Sequence, residues 1–324
     1  MSTVLSVEKL KVYYRTEKGL VKAVDNVTFS IDEEETMGLV GESGCGKSTL
    51  GSTLLKILPN NAIVEGKIFL DGEEIVSKPE KEMQKIRGVK VSMIFQDPMT
   101  SLNPIMKIED HFIETILTHK PDLTRDEARE MAIKALESVG IDKSRIKDYP
   151  FQFSGGMRQR VMIALAIALN PVMLIADEPT TSLDVIVQAQ ILELLKDLKN
   201  KYKMSMLLIT HDLGVVAEMA DRIGVMYAGH LVELGKSEKI YYEPKHPYTK
   251  ALLESIPNTN IEDKELRFIP GSPPDLVDPP KGCRFAPRCP KARKICWERE
   301  PPVFDVDGTQ VKCWIYEEGK GGTT

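Results

Sequence analysis

The chain has no apolar run of membrane-spanning length. Its longest uncharged stretch, from Val161 to Ala176, is shorter than the roughly 20 residues a helix needs to cross a bilayer and is broken by Asn170 and Pro171. It also has no surplus of basic charge: 43 Lys and Arg stand against 48 Asp and Glu, a net charge of -5, with the basic residues scattered. That excludes a nucleic-acid backbone as the main partner, which would require clustered positive charge. The first residues, Met1 to Glu8, contain neither a basic segment nor a long apolar core, so no secretory signal is read and the protein is expected in the cytoplasm. Cysteine is scarce, five residues in 324, and four of them lie beyond position 280. In a reducing compartment these point to metal ligands or inert packing rather than to disulfides.

With 42% hydrophobic and 28% charged residues, the composition suits a sizeable folded core, and the length exceeds one ordinary domain. Apolar runs at Thr36 to Val40, Val91 to Phe95, Val172 to Ala176 and Ser205 to Thr210 alternate with helical patterns, which predicts an α/β core with a largely parallel sheet. One insertion reads as wholly helical. Thr124 and Glu127 form a capping box, apolar residues follow at Ala128, Met131, Ala132, Ala135, Leu136 and Val139, and Gly140 ends it. Twelve of the twenty prolines fall between Pro244 and Pro302, so the C-terminal part is expected to be loop-rich. The expected divisions are a core formed by 1–96 and 165–235, a helical subdomain at 97–164 and a C-terminal domain at 236–324. The Gly/Thr-rich tail, Gly319 to Thr324, carries no functional reading.

Chemistry begins at Gly41-Glu42-Ser43-Gly44-Cys45-Gly46-Lys47-Ser48, followed by Thr49, which fits the phosphate-loop pattern between a strand and a helix. The glycines let backbone N–H groups curl around phosphate, the helix start adds a positive dipole, Lys47 neutralises phosphate oxygens and Ser48 ligates Mg²⁺. Downstream, a buried apolar strand ends in Asp177-Glu178. Asp177 would hold the hydration shell of Mg²⁺, and Glu178 would orient and deprotonate the water that attacks the γ-phosphate of ATP. Between the two lies Phe153-Ser154-Gly155-Gly156-Met157-Arg158-Gln159-Arg160, which places Ser154 and the glycines at a helix N-terminus, a second phosphate-binding element.

At these residues the chain resembles the ABC ATPase family, over roughly residues 4 to 235, although the family usually has Leu where Phe153 stands. The resemblance implies a RecA-like P-loop core with an antiparallel β edge, an inserted α-helical subdomain and a small loop-rich C-terminal domain. It implies that Gln96 contacts Mg²⁺ and the attacking water, and that His211 donates to the γ-phosphate. It implies further that Ser154, Gly155, Gly156 and the Ser182-Leu183-Asp184 loop act in trans, on nucleotide held by another subunit. An aromatic placed 25 to 30 residues before the loop stacks on adenine in family members. Tyr14 is the expected residue, with Tyr13 as rival, because adjacent strand residues face opposite ways.

Gln96-Asp97-Pro98-Met99-Thr100-Ser101-Leu102-Asn103-Pro104, His246-Pro247-Tyr248-Thr249-Lys250, Gly271-Ser272-Pro273-Pro274, Gly282-Cys283-Arg284-Phe285 and Pro287-Arg288-Cys289-Pro290 resemble the dipeptide/oligopeptide importer subfamily. This implies a second ATPase subunit, identical or paralogous, two membrane permease subunits and an extracytoplasmic substrate-binding protein, with the chain peripheral at the cytoplasmic face of the membrane. Nickel or oligosaccharide import, and a soluble ABC ATPase outside transport, are the alternatives. Cys283, Cys289, Cys296 and Cys313 offer four thiolates, read as ligands of a [4Fe–4S] cluster with zinc as the alternative, or as four reduced thiols in a small domain. The absence of tight Cys-x-x-Cys pairs weighs against a zinc ribbon. Cys45 belongs to the phosphate loop as a packing residue.

Overall fold

The structure is a computed structural model that describes residues 2–97, 101–181, 183–255 and 269–320. Pro98, Met99, Thr100 and Ser182 of the motifs above, and the end of the C-terminal tail, lie outside the described residues. The chain divides into two compact units: one comprises Met1–Leu5, Ser30–Thr36 and Phe69–Ile209, the other Ser6–Phe29, Met37–Ile68 and Thr210–Thr324.

The first unit is built on three parallel strands, β6 (Val91–Ile94), β7 (Met173–Asp177) and β8 (Ser205–Ile209), paired in that order. Every residue of all three is buried, as expected for strands covered on both faces, and this explains their continuous apolar runs. Helix α2 (Glu80–Ile86) precedes β6, and helices α3 (Ile108–His119), α4 (Arg125–Ser138) and α5 (Gly155–Ile167) form the helical insertion. The capping box at the start of α4 is present: the Glu127 N–H donates to Thr124 Oγ1 at 3.3 Å, and the Thr124 N–H donates to Glu127 at 2.8 Å. Ala128, Ala132, Ala135 and Leu136 form the buried face of α4. The same unit carries the long helix α6 (Val185–Tyr202), capped by Asp184.

In the second unit β3 (Thr36–Val40) pairs in parallel with β9 (Arg222–Tyr227), which pairs antiparallel with β10 (His230–Lys236). The proline-rich C-terminal part is not all loop. A short hairpin, β11 (Phe304–Val306) and β12 (Thr309–Val311), continues the sheet, with Val311 opposite Glu233. Strands β1 (Thr3–Thr16), β2 (Gly19–Asp32), β4 (Ala62–Leu70) and the short β5 (Glu73–Glu74) form a separate sheet in the order β2-β1-β4-β5. No helix of the described residues is long and apolar enough to cross a membrane.

Buried charge in the second unit gathers where β2 meets the β9–β10 turn. Asp25 accepts hydrogen bonds from Tyr13 (2.6 Å) and from Arg284, and His230 Nε2 stands 3.8 Å from both Asp25 and Glu300. Burial pushes the His230 imidazole down to about 4 from an ordinary value of 6.5. Below about 6.5 the unfolded chain takes up a proton that the folded chain refuses until about 4, so this residue removes stability as the pH falls through that window. His230→Gln is therefore expected to flatten the fall of melting temperature between those pH values. A slope equal to that of the unsubstituted protein would refute the assignment.

Candidate active site

The phosphate-loop sequence leaves the buried strand β3 and turns into helix α1 (Lys47–Leu54). Two of its glycines are required by space as well as by backbone conformation. A Cβ at Gly41 would stand 2.1 Å from the Met226 carbonyl oxygen, and one at Gly46 would stand 2.1 Å from that of Ala23, while their φ values are 154° and 106°. Lys47 is 5% exposed and folds back over the loop, donating to the carbonyls of Gly41 (2.7 Å) and Glu42 (3.2 Å), with its ammonium 3.8 Å from Cys45 Sγ. Cys45 is buried, as its packing role requires, and burial raises its thiol pKa against the opposing charge of Lys47. Ser43, Gly44 and Ser48 are exposed at the loop surface.

Glu42 differs from the rest of the loop. Its backbone N–H donates to the Tyr248 hydroxyl at 3.0 Å, and its carboxylate accepts two bonds from Arg288 at 2.7 and 3.0 Å. Both polar groups are therefore committed to the C-terminal segment rather than to the loop mouth. The two candidate tyrosines also separate. The Tyr13 hydroxyl is taken by Asp25, whereas the Tyr14 hydroxyl reaches Thr49 Oγ1 on α1 at 3.3 Å. His211 is exposed in the turn before α7 (Leu213–Met219), whose N-terminus Asp212 caps by accepting from the N–H groups of Gly214 and Val215.

In the first unit, Asp177 is the last residue of β7 and is 5% exposed, so the strand holds its carboxyl rigidly. Glu178 follows with φ at 46°, in the left-handed region that a non-glycine residue enters at a cost of about 1 kcal/mol or more. Its N–H donates to the Ile209 carbonyl at 2.8 Å, which holds the turn. The Glu178 carboxylate accepts from Gln96 Nε2 at 3.1 Å and from Thr181 Oγ1 at 2.8 Å. Gln96 lies two residues past β6, and the parallel register of β6 on β7 brings these strand ends together. Ser154 caps α5 by accepting from the Met157 N–H at 3.3 Å. A Cβ on Gly156 would meet Val187 at 2.6 Å, so the Ser-Gly-Gly turn packs closely on the start of α6, where Asp184 is the cap. Phe153 is buried beneath the Arg145 guanidinium, 4.3 Å from its ring centroid.

Cys283, Cys289, Cys296 and Cys313 all line one small cavity of about 10 Å³ with His246, Phe285 and Trp314. Burial pushes the thiols of Cys283 and Cys313 up to about 12 and about 11, and raises Cys289 as well, so they stand as neutral thiols unless a cation joins them. The donor set has the softness that iron or zinc selects. The space differs from the expectation: a cavity of this size takes about one water molecule, and among the described residues no group of His, Cys, Asp or Glu is arranged to hold a metal ion. Cys296 instead packs with Ala286 and Trp314, flanked by Cys283, Ile295 and Phe304. The four cysteines thus line one cavity, which in this structure has about the volume of a single water molecule.

Sequence reasoning missed Thr181, Tyr248 and Arg288 as neighbours of functional residues. Thr181 lies three residues past Glu178, within side-chain reach of it. Arg288 and Tyr248 are more than 200 positions from Glu42, and no local pattern signals a contact of that span.

A strand-turn-helix phosphate loop, a strand-end carboxylate pair and a capped Ser-Gly-Gly helix define a P-loop nucleoside triphosphatase of the ATP-binding-cassette class. The family model described as "ABC transporter" matches residues 24–181, and that described as "Oligopeptide/dipeptide transporter, C-terminal region" matches residues 232–296. The oligopeptide transport ATP-binding protein OppD of Bacillus subtilis (strain 168) is 49% identical over 321 residues, covering 97% of this chain and 89% of that protein. The dipeptide transport ATP-binding protein DppD of the same organism is 47% identical over 323 residues, covering 98% and 96%. Among solved structures, the ATP-binding cassette MJ0796 in a dimeric post-hydrolysis state, bound to ADP and phosphate, aligns with a TM-score of 0.65 at 27% identity, covering 72% of this chain and 98% of that one. The chain belongs to the ABC transporter family of oligopeptide and dipeptide transport ATP-binding proteins. Its core is accordingly RecA-like, and its chemistry is ATP hydrolysis.

The Thr181 bond to Glu178 is open to direct test. Thr181→Val keeps the shape and removes the donor, and is expected to lower ATP turnover by about two- to tenfold, the worth of one hydrogen bond, with little change in ATP affinity. Unchanged turnover would mean that Gln96 alone positions Glu178.

Proposed function

We propose that the chain is the ATP-hydrolysing subunit that drives an importer of dipeptides or oligopeptides, working peripherally at the cytoplasmic face of the membrane. The observation that carries this reading is likeness to peptide-transport ATP-binding proteins along nearly the whole chain, including the C-terminal region that generic cassettes need not share. Nickel or oligosaccharide import by the same motor is the second reading. In either case the ATP chemistry is the same.

In this reading the phosphate loop, from Gly41 to Thr49, holds the β- and γ-phosphates of ATP with Lys47, and Tyr14 stacks on adenine. Ser48, Asp177 and Gln96 hold Mg²⁺, directly or through its waters. Glu178 takes a proton from the attacking water, and His211 donates to the γ-phosphate. Ser154, Gly155, Gly156 and Asp184 act on nucleotide held by a second ATPase subunit, identical or paralogous. The exposed apolar Val185 and Ile186 next to Asp184 support a face that a partner covers. The remaining partners are two membrane permease subunits and an extracytoplasmic substrate-binding protein. Glu178→Gln is expected to retain ATP binding, to trap a dimer and to lower hydrolysis by about a hundredfold or more, read by gel filtration with ATP and by phosphate release. Turnover at the original rate would eliminate Glu178 as the base.

An iron–sulfur cluster at Cys283, Cys289, Cys296 and Cys313 is a separate proposal supported by donor chemistry alone, with zinc as the alternative. Purification without oxygen followed by metal and sulfide analysis is the test. Iron with inorganic sulfide supports the cluster, stoichiometric zinc supports the alternative, and neither metal leaves four protonated thiols as a packing cluster.

A further inference from the structure

The cysteine segment is tied to the phosphate loop by two arms, and each arm starts beside a cysteine. Arg288, which precedes Cys289, is 8% exposed and makes two bonds to the Glu42 carboxylate, the bidentate geometry that fixes both partners in orientation as well as distance. Its remaining donors reach the Tyr227 hydroxyl at 3.3 Å and the carbonyls of Ile269 and Pro270 at 3.3 and 2.8 Å. Arg284, which follows Cys283, donates to Asp25 and, at 2.5 Å, to the carbonyl of Ala228. The next residue, Gly229, donates its N–H to the Cys45 carbonyl inside the phosphate loop at 2.9 Å.

Between the arms lies an aromatic cluster. The Phe285 ring lies 5.1 Å from Tyr227 and 5.4 Å from Tyr248, and the two tyrosine rings are 4.6 Å apart. Phe285 also lines the cysteine cavity, while the Tyr248 hydroxyl accepts the Glu42 N–H. One set of close-packed side chains therefore runs from the four thiols to the loop backbone, and interiors packed at this density transmit displacement rather than absorb it.

We propose that the C-terminal cysteine segment is a clamp on the phosphate loop, with Arg288 and Tyr248 as positioning residues that hold Glu42 and thereby set how tightly the chain holds ATP. A phosphate-binding loop collects its anion through the backbone N–H groups of its turn, which are best oriented before the ligand arrives, and the Glu42 N–H, held by Tyr248, anchors the start of that turn rather than joining them. Fixing one end of the loop in advance lowers the ordering cost charged against binding. The clamp acts on affinity and leaves the groups that carry out hydrolysis untouched. It rests on the reading that ATP is the ligand of this loop.

The test is a double-substitution cycle on the full-length chain, with ATP affinity measured by displacement of a fluorescent ATP analogue, KM and kcat measured separately, and melting temperature followed in parallel. Arg288→Met and Glu42→Gln are each expected to weaken ATP about tenfold, within the usual range of site coupling, and Arg288→Met, which lies outside the loop, should keep kcat at saturation within about twofold. The double variant should be no weaker than the weaker single one, and Arg288→Lys should recover part of the affinity. Tyr248→Phe removes one hydroxyl from a buried ring and keeps the fold testable if Arg288→Met does not fold; it too should raise KM with little change in kcat. Affinities equal to that of the unsubstituted chain, or losses that multiply in the double variant, overturn the clamp. An unsubstituted chain that binds no ATP would instead overturn the ATP reading itself.

Discussion

A loop can present its backbone N–H groups to a phosphate only if its own backbone comes close to the rest of the fold, and at Gly41 and Gly46 it comes closer than any side chain permits. The carbonyls of Met226 and Ala23 occupy the positions where a Cβ would stand. The turn of the loop, the buried lysine that folds across it and the start of α1 all follow from that approach. Gly41 and Gly46 are thus steric requirements of the second unit as much as elements of a phosphate-binding motif.

The other half of the chemistry is held by a different device. Three fully buried parallel strands end at one level, and the left-handed turn at Glu178 projects its carboxylate where Gln96 and Thr181 both reach it. A strained backbone persists only when its surroundings over-determine it, and here the Ile209 carbonyl and the Thr181 side chain supply that restraint. The carboxylate that would serve as base is thereby oriented by two donors.

The C-terminal third sits closer to the nucleotide machinery than its proline-rich sequence implies. Its hairpin extends the sheet from β10, and its Arg288 and Tyr248 grip the phosphate loop at Glu42. In the sequence no spacing rule joins Arg288 to Glu42. In the folded chain a bidentate ion pair joins them.

The sequence by itself determined the elements whose signals are local. The phosphate loop, the strand ending in Asp177-Glu178, the capping box at Thr124 and the Ser154 cap each depend on residues within a few positions of one another, where backbone geometry leaves few choices. It also determined the α/β class, because short unbroken apolar runs of strand length alternate with helical patterns, as strands buried on both faces of a parallel sheet require. Tertiary structure alone decided how Tyr13 and Tyr14 divide between Asp25 and Thr49, and that Glu42 faces the C-terminal segment. It decided too that the four cysteines converge on a water-sized cavity rather than an open cage. The reason is one of range: these contacts join residues separated by tens to hundreds of positions, and their geometry exists only once packing has brought the elements together.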